Sequence, residues 1–150
     1  MYNCLGGNMK KVNEEIISIL NERFQKDSLI SLATSVDNQP FVRTVNAFFE
    51  EDSFYVITHA LSNKMKQIEL NNNIAISGEW FTGVGIGENL GYFHKKENED
   101  IAKKLQIAFS SWIDNGHNNF QDVNTIILRI RLTEGVLFSH GKRYDIDFTK

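Results

Sequence analysis

The segment Arg43-Thr44-Val45-Asn46 places a guanidinium group in a stretch that is otherwise rich in Phe and Val. A cation in such a stretch either points to solvent or binds an anion. Guanidinium is well suited to the second task, because its planar fork donates two parallel hydrogen bonds to a phosphate or carboxylate. The segment is therefore a candidate anion-binding strand.

A second polar segment lies where a predicted strand ends and a predicted helix begins. Its members are Thr58, His59, Ser62, Asn63 and Lys64. The N-terminus of a helix offers free amide groups and a positive dipole, both of which attract anions. With Arg43, this segment predicts a compact site for one phosphate group. The competing interpretation is a capped helix with solvated charges.

The periodicity of apolar residues predicts the elements that must position these side chains. It predicts helices over 12–24 (with Asn13 as the cap), 62–70 and 97–112. It predicts strands over 29–35, 41–49, 54–58, 74–80, 84–93 and 125–132, and a last hairpin near 139–142. Many short strands with few helices favour an antiparallel sheet, which closes into a barrel to remove its edges. The predicted fold is mainly β (α+β): a six-stranded antiparallel barrel with flanking helices.

Composition limits the function classes. The chain has 150 residues, a formal net charge of −3 and one cysteine, Cys4. The sequence predicts one domain over 13–150 after a flexible tail over 1–12, with Met1 or Met9 as the start. Mild acidity argues against nucleic acid as a partner, and no apolar run reaches the ~20 residues of a membrane span. A single thiol is typical of the reducing cytoplasm.

Other motifs are weak. The glycines between Gly83 and Gly91 do not fit the dinucleotide fingerprint, and they favour a bulged or bent barrel strand instead. The four histidines have no metal-ligand spacing, so no metal site is predicted. No nucleophile motif is present, and the catalytic residues stay unknown. Trp80, Trp112 and Tyr144 are candidates for the border of a pocket, although large aromatic side chains are more often core.

The order of elements, with Arg43 on the second strand and Thr58…Ser62-Asn63-Lys64…Gln67 after the third, resembles the pyridoxamine 5′-phosphate oxidase-like split-barrel flavoproteins. The resemblance covers about 13–148 and is closest to the nitroimidazole-resistance (NimC/NimA-like) and general-stress types. It implies a Greek-key split barrel, a homodimer, and flavin mononucleotide (FMN) bound between the protomers. Haem or a deazaflavin is the alternative cofactor among similar barrels.

The resemblance also implies roles for individual residues. Arg43, Ser62 and Lys64 match residues that contact the flavin phosphate, with Asn63 beside them. Thr44, Val45 and Asn46 match the strand along the isoalloxazine ring, and Thr58 and His59 match positions near the ring system.

Three departures from the true oxidases argue against vitamin B6 oxidation. Asn63 replaces a basic residue, Phe48 replaces a lysine, and the region 137–150 lacks the substrate clamp. The leading function is an FMN-dependent oxidoreductase that reduces a small organic acceptor of the nitro or quinone type. The alternatives are a non-catalytic flavin-binding stress or redox-sensor module, and a small barrel that binds single-stranded nucleic acid through strand Phe residues.

Overall fold

The computed structural model describes residues 9–116 and 118–149, and every structural statement concerns these residues. Its elements are β1 (Lys10–Lys11), α1 (Glu14–Phe24), β2 (Ser28–Val36), β3 (Gln39–Glu50), β4 (Ser53–His59), α2 (Asn63–Leu70), β5 (Asn73–Gly78), β6 (Phe81–Tyr92), a 3₁₀ turn (Lys96–Asn98), α3 (Glu99–Ala108), β7 (Thr125–Ser139) and β8 (Lys142–Asp147). None of the helices in these ranges has the length and apolar character that crossing a bilayer requires.

The strands β2 to β7 form a closed antiparallel barrel in the order β7-β4-β3-β2-β5-β6, and β6 pairs back onto β7. The predicted six-stranded barrel is confirmed. β8 extends the sheet beyond β7, and β1 adds to β8 in parallel. Lys10 and Lys11 lie within the predicted tail but pair with Ile146 and Asp147. Residues 1–8 of that tail, including Cys4, lie outside the described residues.

Two apolar cores hold the barrel together. The first fills the barrel and is covered by α1, whose Ile16, Leu20 and Phe24 are buried against it. The second lies on the outside, where α3 packs on the barrel wall, and contains Phe48, Phe93, Ala102, Leu105, Phe109, Ile113 and Ile127. Because α3 covers the outer wall here, β7 is buried on both faces between Thr125 and Leu128.

Several predicted boundaries are wrong, including those of β6 and β7, which run over Phe81–Tyr92 and Thr125–Ser139 instead of 84–93 and 125–132. The strand predicted over 74–80 ends at Gly78, because Glu79 and Trp80 form the turn of a hairpin and Trp80 has a φ of 52°. The helix predicted over 97–112 is shorter, since a 3₁₀ turn precedes it and the chain leaves the helix at Phe109. The buried side chain of Asn98 fixes the start of α3 by donating hydrogen bonds to the carbonyls of Leu90 and Tyr92.

A glycine lets β6 and β7 close the barrel. A Cβ atom on Gly85 would lie 2.2 Å from the carbonyl oxygen of Arg131, which is far inside van der Waals contact. The register between the two strands shifts between Val84 and Gly85. The prediction that glycines mark a bulged barrel strand is confirmed here.

The barrel is split between β3 and β4. From Gln39 to Ala47, β3 pairs with β2, but it pairs with β4 only from Phe48 to Glu50. β4 meanwhile pairs with β7 along its whole length. On the N-terminal side of Phe48, β3 therefore diverges from β4, and within the described ranges no strand pairs with the free edge of β3 from Gln39 to Ala47. This gap positions the candidate site.

Candidate functional site

A cleft of about 440 Å³ opens at the split between β3 and β4. This volume is within the roughly 300–1,000 Å³ that is usual for small-molecule sites. The cleft is lined by two residues of β3, two of β4, one of α2 and three of the segment after α3: Val45, Asn46, Val56, Ile57, Lys64, Trp112, Asn115 and Asn118.

Arg43 lies opposite Leu32 in the pairing of β3 with β2. Its guanidinium donates hydrogen bonds to the Leu32 carbonyl (3.3 Å), to Thr34 Oγ1 (2.9 Å) and to Gln67 Oε1 (2.5 Å). Thr34 Oγ1 donates in turn to the same Gln67 oxygen, at 2.6 Å. All three acceptors of Arg43 are neutral, so they orient the guanidinium without neutralising its charge. Partial burial lowers the pKa of Arg43 from its usual value.

Lys64 lies in the first turn of α2, which begins after Ser62. The Ser62 hydroxyl accepts a hydrogen bond from the Met65 amide at 3.4 Å, so Ser62 is the N-cap. Lys64 Nζ donates to Thr58 Oγ1 at 2.7 Å, at the buried end of β4. Burial lowers the pKa of Lys64 below its usual value, and the positive charge of Arg43 lowers it further.

Arg43 and Lys64 form a pair of cations that no carboxylate neutralises. In the described part of the chain, neither has a carboxylate oxygen within 4.0 Å. Helix α2 holds the pair together, because Lys64 and Gln67 are three residues apart on one helix face and Gln67 binds Arg43. Two partly desolvated cations side by side are unfavourable alone. This arrangement suits an anion that would contact both.

The other predicted site residues have varied positions. Val45 and Asn46 line the cleft, whereas the exposed Thr44 that precedes them does not. Asn63 is the exposed first residue of α2. Thr58 contributes to the cleft only through its bond to Lys64. The structure therefore brings Lys64, Val45 and Asn46 to the cleft, whereas Arg43 is not among the lining residues and is linked to α2 through Gln67.

His59 faces away from the cleft lining and binds the segment before β7. Its Nδ1 accepts a hydrogen bond from the Leu61 amide (3.2 Å), so Nε2 carries the proton and donates to Asp122 Oδ2 (3.0 Å). The Asn124 amide and then His59 lower the pKa of Asp122. His59 therefore joins the end of β4 to the segment leading into β7.

The sequence did not reveal several residues that shape the site. Thr34 and Asp27 carried no motif, although Thr34 binds Arg43, and Asp27 binds both Asn46 and Trp112. Asp27 and Trp112 are 85 positions apart, so no local pattern links them. Alternation along β2 was the available signal for Thr34, because it places this polar residue on the face of Leu32.

The three aromatic candidates for the pocket border lie in different places, and one of them lines the cleft. Trp112 lines the cleft and stacks on Phe109, with ring centroids 4.8 Å apart. Trp80 is 69% exposed at a hairpin tip. Tyr144 donates a hydrogen bond to Glu15, outside the cleft lining.

A second group of cations lies in a depression beside α1, where Lys142 has a carboxylate partner and Arg23 binds neutral carbonyl groups. Arg23 donates to the carbonyls of Glu79 (3.2 Å) and Phe138 (2.8 Å), and Lys142 lies 3.6 Å from a Glu15 carboxylate oxygen. Across 9–116 and 118–149 there is also no group of three or more residues that could hold a metal ion. The cleft at the split is therefore the better candidate for binding an anionic ligand.

No family model and no curated protein matches the chain. Solved structures do. A NimC/NimA family protein from Clostridium acetobutylicum is 20% identical with a TM-score of 0.62, covering 85% of this chain and 91% of its own. A protein related to general stress protein 26 (pyridoxinephosphate oxidase family), also from Clostridium acetobutylicum, is 15% identical with a TM-score of 0.62, covering 91% and 96%. A FAD-binding protein from Mesorhizobium loti is 13% identical with a TM-score of 0.63, covering 79% and 90%.

The chain has the split-barrel fold. The resemblance suggested by the sequence is thus confirmed at the level of the fold, and the two subgroups named from the sequence, nitroimidazole-resistance and general-stress proteins, are both among the structural neighbours. At these identities the likeness concerns the fold alone.

Proposed function

We propose that the cleft at the split binds FMN and that the protein is a flavoprotein oxidoreductase acting on a small organic acceptor. One observation carries the proposal: Lys64 lines a cleft between diverging strands, Gln67 on the same helix binds Arg43, and neither cation has a carboxylate partner in the described ranges. Proteins of this fold include a FAD-binding protein and a member of the pyridoxinephosphate oxidase family. A flavin phosphate would supply the missing negative charge.

The chemistry of the residues fits such a ligand. Arg43 retains the geometry for charge-assisted bonds to a phosphate, because Thr34 and Gln67 hold its guanidinium in place. Lys64 adds a second charge from α2, and the helix N-terminus adds its dipole. Ser62 retains a hydroxyl proton to donate, since its oxygen accepts the capping bond.

The rest of the cleft suits a flat ring system. Val45, Val56 and Ile57 provide apolar surface, and Trp112 provides an aromatic wall. Asn46 and the amides of the segment after α3 supply hydrogen-bonding groups at the border. Apolar walls with a few oriented polar groups are typical of cofactor sites. These residues would orient the ring and exclude water from it.

When bound, FMN supplies the redox chemistry, accepting electrons from a donor and passing them to an acceptor. Among the described lining residues, Lys64 is the one with a titratable side chain, and we assign it to the phosphate. The side chains that line the cleft in this chain therefore bind and orient, and a small nitro compound or quinone is the acceptor class that we propose. The departures at Phe48 and Asn63 keep vitamin B6 oxidation outside the proposal.

A second copy of the chain is part of the proposal. Val42 and Leu29 lie on the β2–β3 hairpin and are 71% and 66% exposed. Exposed apolar side chains beside an open cleft favour a symmetric partner that covers both. We therefore propose a homodimer with the cofactor at the interface.

The test begins with the purified protein and its visible spectrum. A yellow protein that releases FMN on denaturation, or a colourless one that binds added FMN, supports the proposal. Failure to bind FMN would refute it. Anaerobic reduction by nicotinamides, followed by reoxidation with nitro compounds and quinones, separates an oxidoreductase from a non-catalytic flavin module. Haem is tested in parallel by its absorbance, because a haem-binding protein from Mycobacterium smegmatis has a similar fold at 11% identity and a TM-score of 0.60, over 81% of this chain and 53% of its own.

A further inference from the structure

Asp27 connects two walls of the cleft. It lies between α1 and β2, and its carboxylate accepts two hydrogen bonds. Oδ1 accepts from Asn46 Nδ2 and Oδ2 accepts from Trp112 Nε1, both at 2.9 Å. Asn46 belongs to β3 and Trp112 to the segment after α3, and both line the cleft. One carboxylate thus fixes two lining side chains that are far apart in the sequence.

The bond to Asp27 also decides which end of the Asn46 amide is available. A carboxylate accepts hydrogen bonds but has none to donate, so it binds the NH₂ group of Asn46 and not its carbonyl. No group in the described ranges donates to Asn46 Oδ1. The carbonyl is therefore the part of the amide that remains for a ligand, as an acceptor.

From this geometry we infer that Asp27 is a positioning residue, which makes Asn46 a hydrogen-bond acceptor toward the cleft and holds Trp112 as its wall. The inference rests on the proposed function and deepens it, because it specifies the ligand edge that the site would recognise. Oxidised isoalloxazine has a single N–H group, at N3. An acceptor on the cleft wall therefore selects a ring whose N3 carries a proton.

Asp27→Asn tests this idea with almost no change in size. Because Trp112 Nε1 is only a donor, the new side chain must turn its oxygen to Trp112 and its NH₂ group to Asn46. Asn46 must then rotate its own amide, so that an N–H donor replaces the carbonyl at the cleft. The wall changes from acceptor to donor while Arg43 and Lys64 stay as they are.

The measurement is the dissociation constant of FMN and of 3-methyl-FMN, by fluorescence titration. We expect the wild-type protein to prefer FMN by about tenfold or more, from one hydrogen bond and the steric cost of the methyl group. Asp27→Asn and Asn46→Leu should each reduce this preference severalfold, and the double variant should reduce it no further. Asp145→Asn, on β8 and outside this cleft lining, is the matched control. An unchanged preference in Asp27→Asn would overturn the inference while leaving flavin binding intact.

A second measurement needs no cofactor. The chain has two tryptophans, so Trp80→Phe leaves Trp112 as the single indole. In that background, Asp27→Ala should increase acrylamide quenching of Trp112 about twofold, whereas Asp27→Asn should leave it unchanged because its oxygen still accepts from the indole. Equal quenching in the wild-type background and Asp27→Ala would contradict the role of Asp27 even if FMN did not bind at all. Failure of FMN binding alone would refute the proposed function and not this contact.

Discussion

Replacing Lys64 by methionine should separate binding from stability. The substitution keeps the length of the side chain and removes the charge that would meet the phosphate. Lys66 provides the matched control, because it carries the same charge on the same helix but is exposed and outside the cleft lining. Lys66→Met therefore changes the net charge equally without touching the proposed site.

The expected loss of affinity follows from one charge-assisted contact. Such a hydrogen bond contributes roughly 1.5–3 kcal/mol, so Lys64→Met should weaken FMN binding by about tenfold to a hundredfold. The ligand-free protein should lose little stability. The variant loses the bond to Thr58, but it also removes a partly buried cation whose burial is unfavourable, so the two effects oppose one another.

The pH dependence of the free energy of unfolding tests whether burial of the Lys64 ammonium group is unfavourable. The pKa of Lys64 in the fold is below its usual value of 10.5, first through burial and then through Arg43. Between these two pKa values the unfolded chain binds more protons than the folded one, so rising pH favours the fold. The free energy of unfolding of the wild-type protein, measured without ligand, should therefore rise relative to Lys64→Met as pH increases toward 10.5.

The assays are FMN titration by flavin fluorescence and urea unfolding of both variants across this pH range. Lys66→Met should bind FMN within about twofold of the wild-type protein and show no such pH-dependent difference. If the two lysine variants bound FMN equally well, the assignment of the phosphate to Lys64 would be refuted. If the free energy of unfolding of the wild-type protein fell relative to Lys64→Met as pH rises, the Lys64 ammonium group would not be desolvated in the fold.

Three further substitutions test the elements that support the site. Gly85→Ala should destabilise the barrel by about 3 kcal/mol or more in urea unfolding, because its Cβ would collide with the Arg131 carbonyl; an unchanged midpoint would contradict the close approach. Ser62→Ala should cost about 1 kcal/mol through loss of the α2 cap, and Ser62→Gly much less, so equal losses would count against capping. Asn98→Leu should cost about 1–3 kcal/mol by removing the buried side-chain bonds to the Leu90 and Tyr92 carbonyls, as measured by thermal unfolding, and a neutral result would exclude this role.

Much of the fold was predictable because its signals are local. Asn13 and Ser62 are N-caps, and both are residue types that favour this position. The alternation along β2 and β7 determines which side chains enter the barrel. The end of β5 was predicted wrongly because it depends on contacts distant in sequence. The turn at Trp80 is fixed by bonds to its carbonyl from Arg23 and Phe138, and no local pattern encodes them.

The candidate site was predictable only in part, for the same reason. Arg43 and Lys64 stand out by type and spacing, and the structure links them through α2, where Gln67 binds Arg43. His59 was predicted beside the ring, and the sequence did not reveal its bond to Asp122, a partner 63 positions away. Asp27 was missed, because an aspartate before a strand is ordinary until the structure shows what it binds.

The long free edge of β3 makes aggregation of the protein depend on whether a ligand covers that edge. From Gln39 to Ala47 the strand is paired on one side only within the described ranges, and unpaired strand edges invite addition of another chain. Pro40 lies on this strand and has no amide proton, a property that discourages strand addition, but Val45 and Asn46 carry no such protection. A ligand bound against Val45 and Asn46 would cover this part of the unpaired edge. We therefore expect protein made without its ligand to aggregate more readily, and supplementation during expression to raise the soluble yield.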